Sequence, residues 1–240
     1  MRRLGAEVRN EGVGGRDALP ILLLVITFTT GLIDAVSVIG LGNVFVASMT
    51  GNVLFFGFAM AGAPGFAMDR NATALAAFLV GAVIAGRMAR LFGAATRRSW
   101  LLSGAAVEGC LLLAATYLAN GYDLQQLEPP TTYYSLVTLT AIAMGFRSGT
   151  VRKLGVANLP TTVLTQTLTS LASDAAAGQY KGAVRRLASV GIILLGAFVG
   201  GLLVLREGIA RPLLAAAVIV VVASLAYAWH PSSAVPAMSS

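Results

Sequence analysis

The sequence predicts an all-α, polytopic membrane protein with six transmembrane helices, two re-entrant or broken helical segments and an inverted internal repeat. Three observations carry this. Of 240 residues 57% are hydrophobic and only 11% charged, with a mean hydropathy of +0.80, too little charged surface for a water-soluble fold of this length. Apolar stretches near the length needed to cross hydrocarbon recur from residue 18 to residue 229. The basic residues sit in small groups between those stretches and gather on one side of the membrane once two stretches are taken to enter and leave on the same face.

Taken in order, residues 1–17 carry Arg2, Arg3, Arg9 and Arg16 and read as a cytoplasmic tail. The apolar run that follows is too long for a signal-peptide core and lacks a small-residue cleavage site, so it is expected to be retained as the first crossing, 18–40. Segment 43–62 sets Thr50, Gly51 and Asn52 between Val44-Phe45-Val46 and Val53-Leu54-Phe55-Phe56, which predicts a segment that turns back near Gly51, where a backbone break is tolerated. Segments 72–92 and 99–119 cross and complete a first membrane repeat, 18–119. The linker 120–130 holds Asp123 and Glu128 without a base and is placed outside. A second repeat, 131–230, has crossings at 131–150, 187–205 and 212–229, and 231–240 is a short tail. Its segment 156–178 contains Asn158, Pro160, Thr161, Thr162, Thr165, Gln166, Thr167 and Asp174, too polar for a lipid-facing helix and therefore expected to be lined by protein.

Charge decides between eight crossings and six. With eight, the 17 bases divide almost evenly between the two faces; with six, 14 fall inside and only Arg70, Arg206 and Arg211 outside. Six crossings with this charge bias put both termini on the cytoplasmic side of the membrane. The halves also share a register. At an offset of 115, Met49-Thr50-Gly51-Asn52 falls on Leu164-Thr165-Gln166-Thr167 and Gly81–Gly86 on Gly196–Gly201; with one residue of slack Gly31 falls on Gly145. Three crossings per half invert the second relative to the first, a plan common among transporters. The two glycine runs are expected to let helices approach closely.

The candidate solute site is Thr50, Gly51 and Asn52 together with Thr165, Gln166 and Thr167, on two tips expected to meet near the midplane. Three ionisable residues within the apolar segments are candidate coupling or pathway groups, because charge in lipid is costly and usually faces a partner or cavity. Asp34 lies toward the outer surface and Arg147 near the inner end of its helix, where a snorkelling anchor is expected; Glu108 lies mid-helix, to be protonated or matched by a donor such as Asn52 or Gln166. Trp100, Tyr133, Tyr134, Tyr227 and Trp229 fall at segment ends, as interface aromatics do. With one cysteine, Cys110, and one histidine, His230, neither a disulfide nor a Cys/His metal site is expected, and no Ser/His or Cys/His pair suggests an enzyme. No cofactor is implied. The scattered bases exclude a nucleic-acid face, leaving the lipid bilayer, a small solute or ion, and a second copy of the chain as expected partners.

The strings Gly31-Leu32-Ile33-Asp34-Ala35, Met49-Thr50-Gly51-Asn52 and Thr161–Thr169 resemble the YoaK-type family of bacterial integral membrane proteins over nearly the whole chain. The resemblance implies about six transmembrane helices and no particular activity. The chain departs from the family's pattern at Thr165-Gln166-Thr167, where Thr-Gly-Thr is common, and at Phe146-Arg147-Ser148, where Gln-Asn-Ala is common. The reading from the residues is a small secondary transporter or permease, with a non-transporting scaffold or assembly partner as the alternative.

Overall fold

The computed structural model describes residues 18–91, 96–154, 164–176 and 183–235, apart from the side chains of 164–166, 175 and 185. The expected tail 1–17, Pro160 and the rest of 155–163 lie outside the described residues. Among the described residues eight α-helices follow one another: α1 (Leu19–Gly40), α2 (Met49–Met60), α3 (Met68–Leu91), α4 (Arg97–Leu118), α5 (Pro130–Lys153), α6 (Leu164–Ala176), α7 (Ala183–Glu207) and α8 (Ala210–Ala228). A helix rises about 1.5 Å per residue, so the six long ones reach about 30 Å, while α2 reaches about 20 Å, too short to cross hydrocarbon, and the described residues of α6 reach about 20 Å. Five of the long helices, α1, α3, α4, α7 and α8, are apolar enough to cross a membrane. The sixth, α5, carries Thr131, Thr132, Ser135, Thr138, Thr140, Arg147 and Thr150, and it tolerates them because it packs against α3 and α4, with Thr140, Arg147 and Thr150 buried.

Contacts along the helices fix their directions. Arg147 of α5 bonds to Ile26 and Thr30 of α1, and Tyr133, at the start of α5, donates to the Leu41 carbonyl at the end of α1 (3.1 Å), so α1 and α5 are antiparallel. Gly145 lies on Phe78 and Gly149 on Ala82 and Ala85, which makes α3 parallel to α5. Gly196 lies on Phe28 and Gly200 on Leu32 and Ala35, which makes α7 parallel to α1. Helix α4 is antiparallel to α5, since Trp100 Nε1 donates to the Thr150 carbonyl (3.1 Å) and Glu108 meets Arg147. It follows that α3 starts at the end where α1 stops, and α7 starts at the end where α5 stops. Helix α2 therefore lies between two helix ends on one side of the bundle, as expected for 43–62, and α6 lies between two helix ends on the other, while residues 156–163, 177 and 178 of the expected segment 156–178 lie outside the described residues.

Glycine sets the two tightest helix pairs. A Cβ at Gly31, Gly196 or Gly200 would fall within 3.0 Å of backbone across the α1–α7 seam, and one at Gly81 or Gly145 likewise across the α3–α5 seam. Such absence of side chain lets backbones approach where lipid gives no hydrophobic drive to associate. Not every glycine in the two runs serves this purpose: a Cβ at Gly86 would meet open space.

The hydroxyls of α1 are absorbed by its own backbone. Thr27 donates to the Leu23 carbonyl (2.8 Å), Thr29 to Ile26 (2.8 Å) and Ser37 to Asp34 (3.0 Å), which removes the cost of burying them. One expectation fails at the helix ends. Trp100, Tyr133 and Tyr227 are buried inside the bundle and not ranged along the interface, because each polar atom finds a backbone carbonyl there: Thr150, Leu41 and Ser232 respectively. Trp229 does point outward, at 87% exposure.

Candidate functional site

The polar centre of the bundle is an ion pair. Arg147 (α5) donates from Nε to Glu108 Oε1 (2.9 Å), and its Nη2 bonds the same oxygen. Its Nη1 donates to Thr30 Oγ1 (2.9 Å) and to the Ile26 carbonyl (3.3 Å) on α1, while the Thr30 hydroxyl donates in turn to Ile26 (3.1 Å). Only 3% and 5% of the two side chains are exposed. A buried charge of this kind persists only when paired and hydrogen-bonded.

This corrects two expectations. Arg147 is not a snorkelling anchor, and Glu108 is partnered by Arg147 and not by Asn52, which bonds Phe45; the Gln166 side chain lies outside the described residues. Helical side chains lean toward the N-terminus of their own helix. Because α4 and α5 are antiparallel, Arg147 leans away from the near end of the bundle and Glu108 leans toward it, so the two converge.

Beside the pair is a cavity of about 20 Å³, room for one water. Gly104 and Ala105 of α4 and Val220 and Ser224 of α8 line it with Glu108 and Arg147. Among the described residues neither Glu108 Oε2 nor the Ser224 hydroxyl has a hydrogen-bond partner.

The Met49-Thr50-Gly51-Asn52 string does different work from that expected. The Asn52 side chain accepts from the Phe45 amide (2.9 Å) and donates to the Phe45 carbonyl, so it clamps the chain as it turns into α2. Gly51 makes room for the Phe45 ring, whose Cε2 would lie 2.7 Å from a Cβ there. Asp34 reaches from α1 to the same turn, accepting from the Ala47 amide (3.3 Å) and the Ser48 hydroxyl (3.4 Å), which sets a negative charge at the N-terminus of α2, where the helix dipole favours it. Thr50 is exposed on the first turn of α2. In the second half Thr165, Gln166 and Thr167 form the first turn of α6; Thr167 is buried, and the other two side chains lie outside the described residues. Among the described residues α2 packs on α3 and α6 on α7, on separate helix pairs. Asp174 of α6 pairs with Arg186 of α7.

Comparison with known proteins fits this architecture. The family described as "Protein of unknown function (DUF1275)" matches residues 22–226, which takes in all eight helices almost end to end. The chain belongs to the DUF1275 family. Over 153 residues this DUF1275 chain is 34% identical to the UPF0700 transmembrane protein YoaK of Bacillus subtilis (strain 168), covering 64% of the chain and 65% of that relative, so the chain spans just under two thirds of the relative's length. Five helices long and apolar enough to cross a membrane, together with a transmembrane relative, make the DUF1275 chain a membrane protein. No solved structure matches it.

Proposed function

We propose that this DUF1275 protein is a small secondary transporter, a permease of the bacterial inner membrane that carries a small polar or charged solute by alternating access and performs no enzymatic step. The observation that carries the reading is the buried Arg147–Glu108 pair, held between α1, α4 and α5 beside a cavity that α8 also lines. Intramembrane ion pairs of this kind mark solute and proton pathways.

An inverted repeat is supported by contacts that correspond at the sequence offset. Gly81 lies on the Ile142 carbonyl and Gly196 on that of Phe28; Gly145 lies on the Phe78 carbonyl and Gly31 on that of Ile193. Each contact maps onto its counterpart when the halves are exchanged. In this reading the end bearing Arg87, Arg90, Arg97, Arg98, Arg152 and Lys153 faces the cytoplasm, and both termini lie there. The moving bodies are not the two halves, because each tight pair, α1–α7 and α3–α5, takes one helix from each half. Direct packing between α1 and α5 is slight, and polar bonds from Arg147 and Tyr133 bridge it. The solute site is then centred on Arg147 and Glu108. Asp34 lies on the outer approach, while Thr50–Asn52 and Thr165–Thr167 shape the short segments flanking the two pairs.

Cysteine accessibility tests this without knowledge of the solute. Ala105→Cys and Ser224→Cys, each in a Cys110→Ala background, are treated with a membrane-impermeant thiol reagent in right-side-out and in inverted vesicles. Alternating access exposes both positions from either side. Labelling from one side only, or from neither, favours a scaffold or assembly partner, a reading that the internal use of Gly51 and Asn52 on Phe45 also suits.

A further inference from the structure

The ion pair is made in an unsymmetrical way. A guanidinium and a carboxylate usually meet as two forks, one bond to each oxygen. Here Nε and Nη2 both bond to Glu108 Oε1, and Oε2, in a residue lining the cavity, has no hydrogen-bond partner among the described residues. The free oxygen therefore stands where a proton can be added without first breaking the bonds to Arg147. The lining beyond it is mostly apolar, with Ile26, Leu101, Gly104, Ala105, Val151 and Val220, and offers two further polar side chains: Thr150, whose hydroxyl donates to the Phe146 carbonyl, and Ser224, whose hydroxyl has no partner among the described residues.

Resting on the transporter reading above, we propose that this pair is an exchange site for a short-chain monocarboxylate together with one proton. The proton enters with the solute from the aqueous phase, where it is carried as hydronium, and adds to Glu108 Oε2, so Glu108 becomes a neutral acid. Its two bonds from Arg147 are given up to the carboxylate of the solute, and the short apolar tail occupies the widened cavity against Ala105 and Val220. Charge is conserved inside the bundle: one cation and one anion before, one cation and one anion after. That balance matters because an uncompensated charge in the core costs several kcal/mol. It also makes the movement electroneutral, one proton and one monoanion together. A carboxylate is favoured over other anions because the resting partner of Arg147 is itself a carboxylate, so the site is already shaped for that head group.

The charged and titratable surroundings of Glu108 are sparse. On α5 it faces Arg147. Helix α1 presents Ile26 and Thr30 to Arg147, with Asp34 one turn beyond and within electrostatic reach of that guanidinium. Helix α8 presents Val220 and Ser224 to the cavity, with Tyr227 one turn beyond, its hydroxyl bonded to the Ser232 carbonyl. On α4 the charged neighbours, Arg97 and Arg98, are three turns away. Of the carboxylates named, Glu108 is the one that both bonds Arg147 and lines the cavity, and on that geometry the proton linked to solute binding is assigned to it.

The test is thermal unfolding of the whole protein in lipid nanodiscs, titrated with sodium propionate at several pH values, with propionamide, propylammonium chloride and sodium chloride as controls. Propionate alone is expected to raise the melting temperature, with an apparent affinity that weakens by about tenfold per pH unit once Glu108 is ionised, the slope for one linked proton. In Glu108→Gln, a mimic of the protonated acid, propionate is expected to bind more tightly than in the parent protein at neutral pH, with no pH slope. The double variant Glu108→Gln/Arg147→Gln keeps the core neutral and is expected to lose the response. The proposal is overturned if any control stabilises as well as propionate, if the parent protein shows no pH slope, or if the double variant still responds. Should Glu108→Gln fail to fold, the parent slope and the double variant decide. A proton-linked propionate response alongside one-sided cysteine labelling would keep the site and remove transport; two-sided labelling without that response would keep transport and remove this solute.

Discussion

At the scale of single residues, the centre of the molecule turns on whether each polar atom has its partner. Replacing Glu108 or Arg147 by Ala strands the other charge in the core, and either change is expected to lower stability by about 3–5 kcal/mol, whereas the paired change Glu108→Leu/Arg147→Met recovers most of the loss. Thermal melts of the three purified variants check this; equal losses for the single and paired changes would contradict it. Asn52→Ala leaves the Phe45 amide and carbonyl without their clamp and is expected to cost about 1–3 kcal/mol, read in the same melts. The individual residues Asp34, Asn52, Glu108 and Arg147 were legible in the sequence, because a polar group amid apolar neighbours announces itself. Their partners were not. Glu108 and Arg147 lie 39 residues apart, and the link between them comes from the antiparallel α4–α5 hairpin combined with the lean of helical side chains, a signal that was present but unused. Asn52 bonds a main-chain group seven residues back, and no side-chain pattern marks such a target.

At the scale of elements, the glycines divide into those that make a seam and those that do not. Gly145→Ala is expected to destabilise by about 1–3 kcal/mol, since its Cβ would meet the Phe78 backbone, which has nowhere to go. Gly86→Ala, on the same α3–α5 pair but facing open space, is expected to be neutral or to stabilise by up to about 1 kcal/mol, as alanine is the better helix former. Parallel unfolding curves in one detergent compare the two, and equal destabilisation would deny the seam its special role. The helices themselves were readable from apolar runs and from the distribution of Lys and Arg, which gave α2 and α6 as segments that return to their own side. The sequence did not show that α2 and α6 would sit on different helix pairs. Their polar residues suggested a shared site, but the placement of each depends on the α1–α7 and α3–α5 seams, which pair helices far apart in the chain.

At the scale of the whole molecule, six long helices run between an end rich in arginine and an end holding Asp69, Asp123, Glu128 and Glu207. Asn43→Cys, Met68→Cys and Asn120→Cys in a Cys110→Ala background are expected to react with an impermeant thiol reagent in intact cells, and Ser99→Cys only after lysis. Opposite reactivity of positions 43 and 68 would make α2 a full crossing. The interlaced pairing also bears on how the protein is made. The tightest partner of α1 is α7, about 165 residues later in the chain. At a synthesis rate of about 5–20 residues per second, α1 leaves the ribosome roughly 10–30 seconds before α7 does. Throughout that interval the glycine face of the first helix meets lipid, or helices that later give up their place, so the order of synthesis differs from the order of assembly.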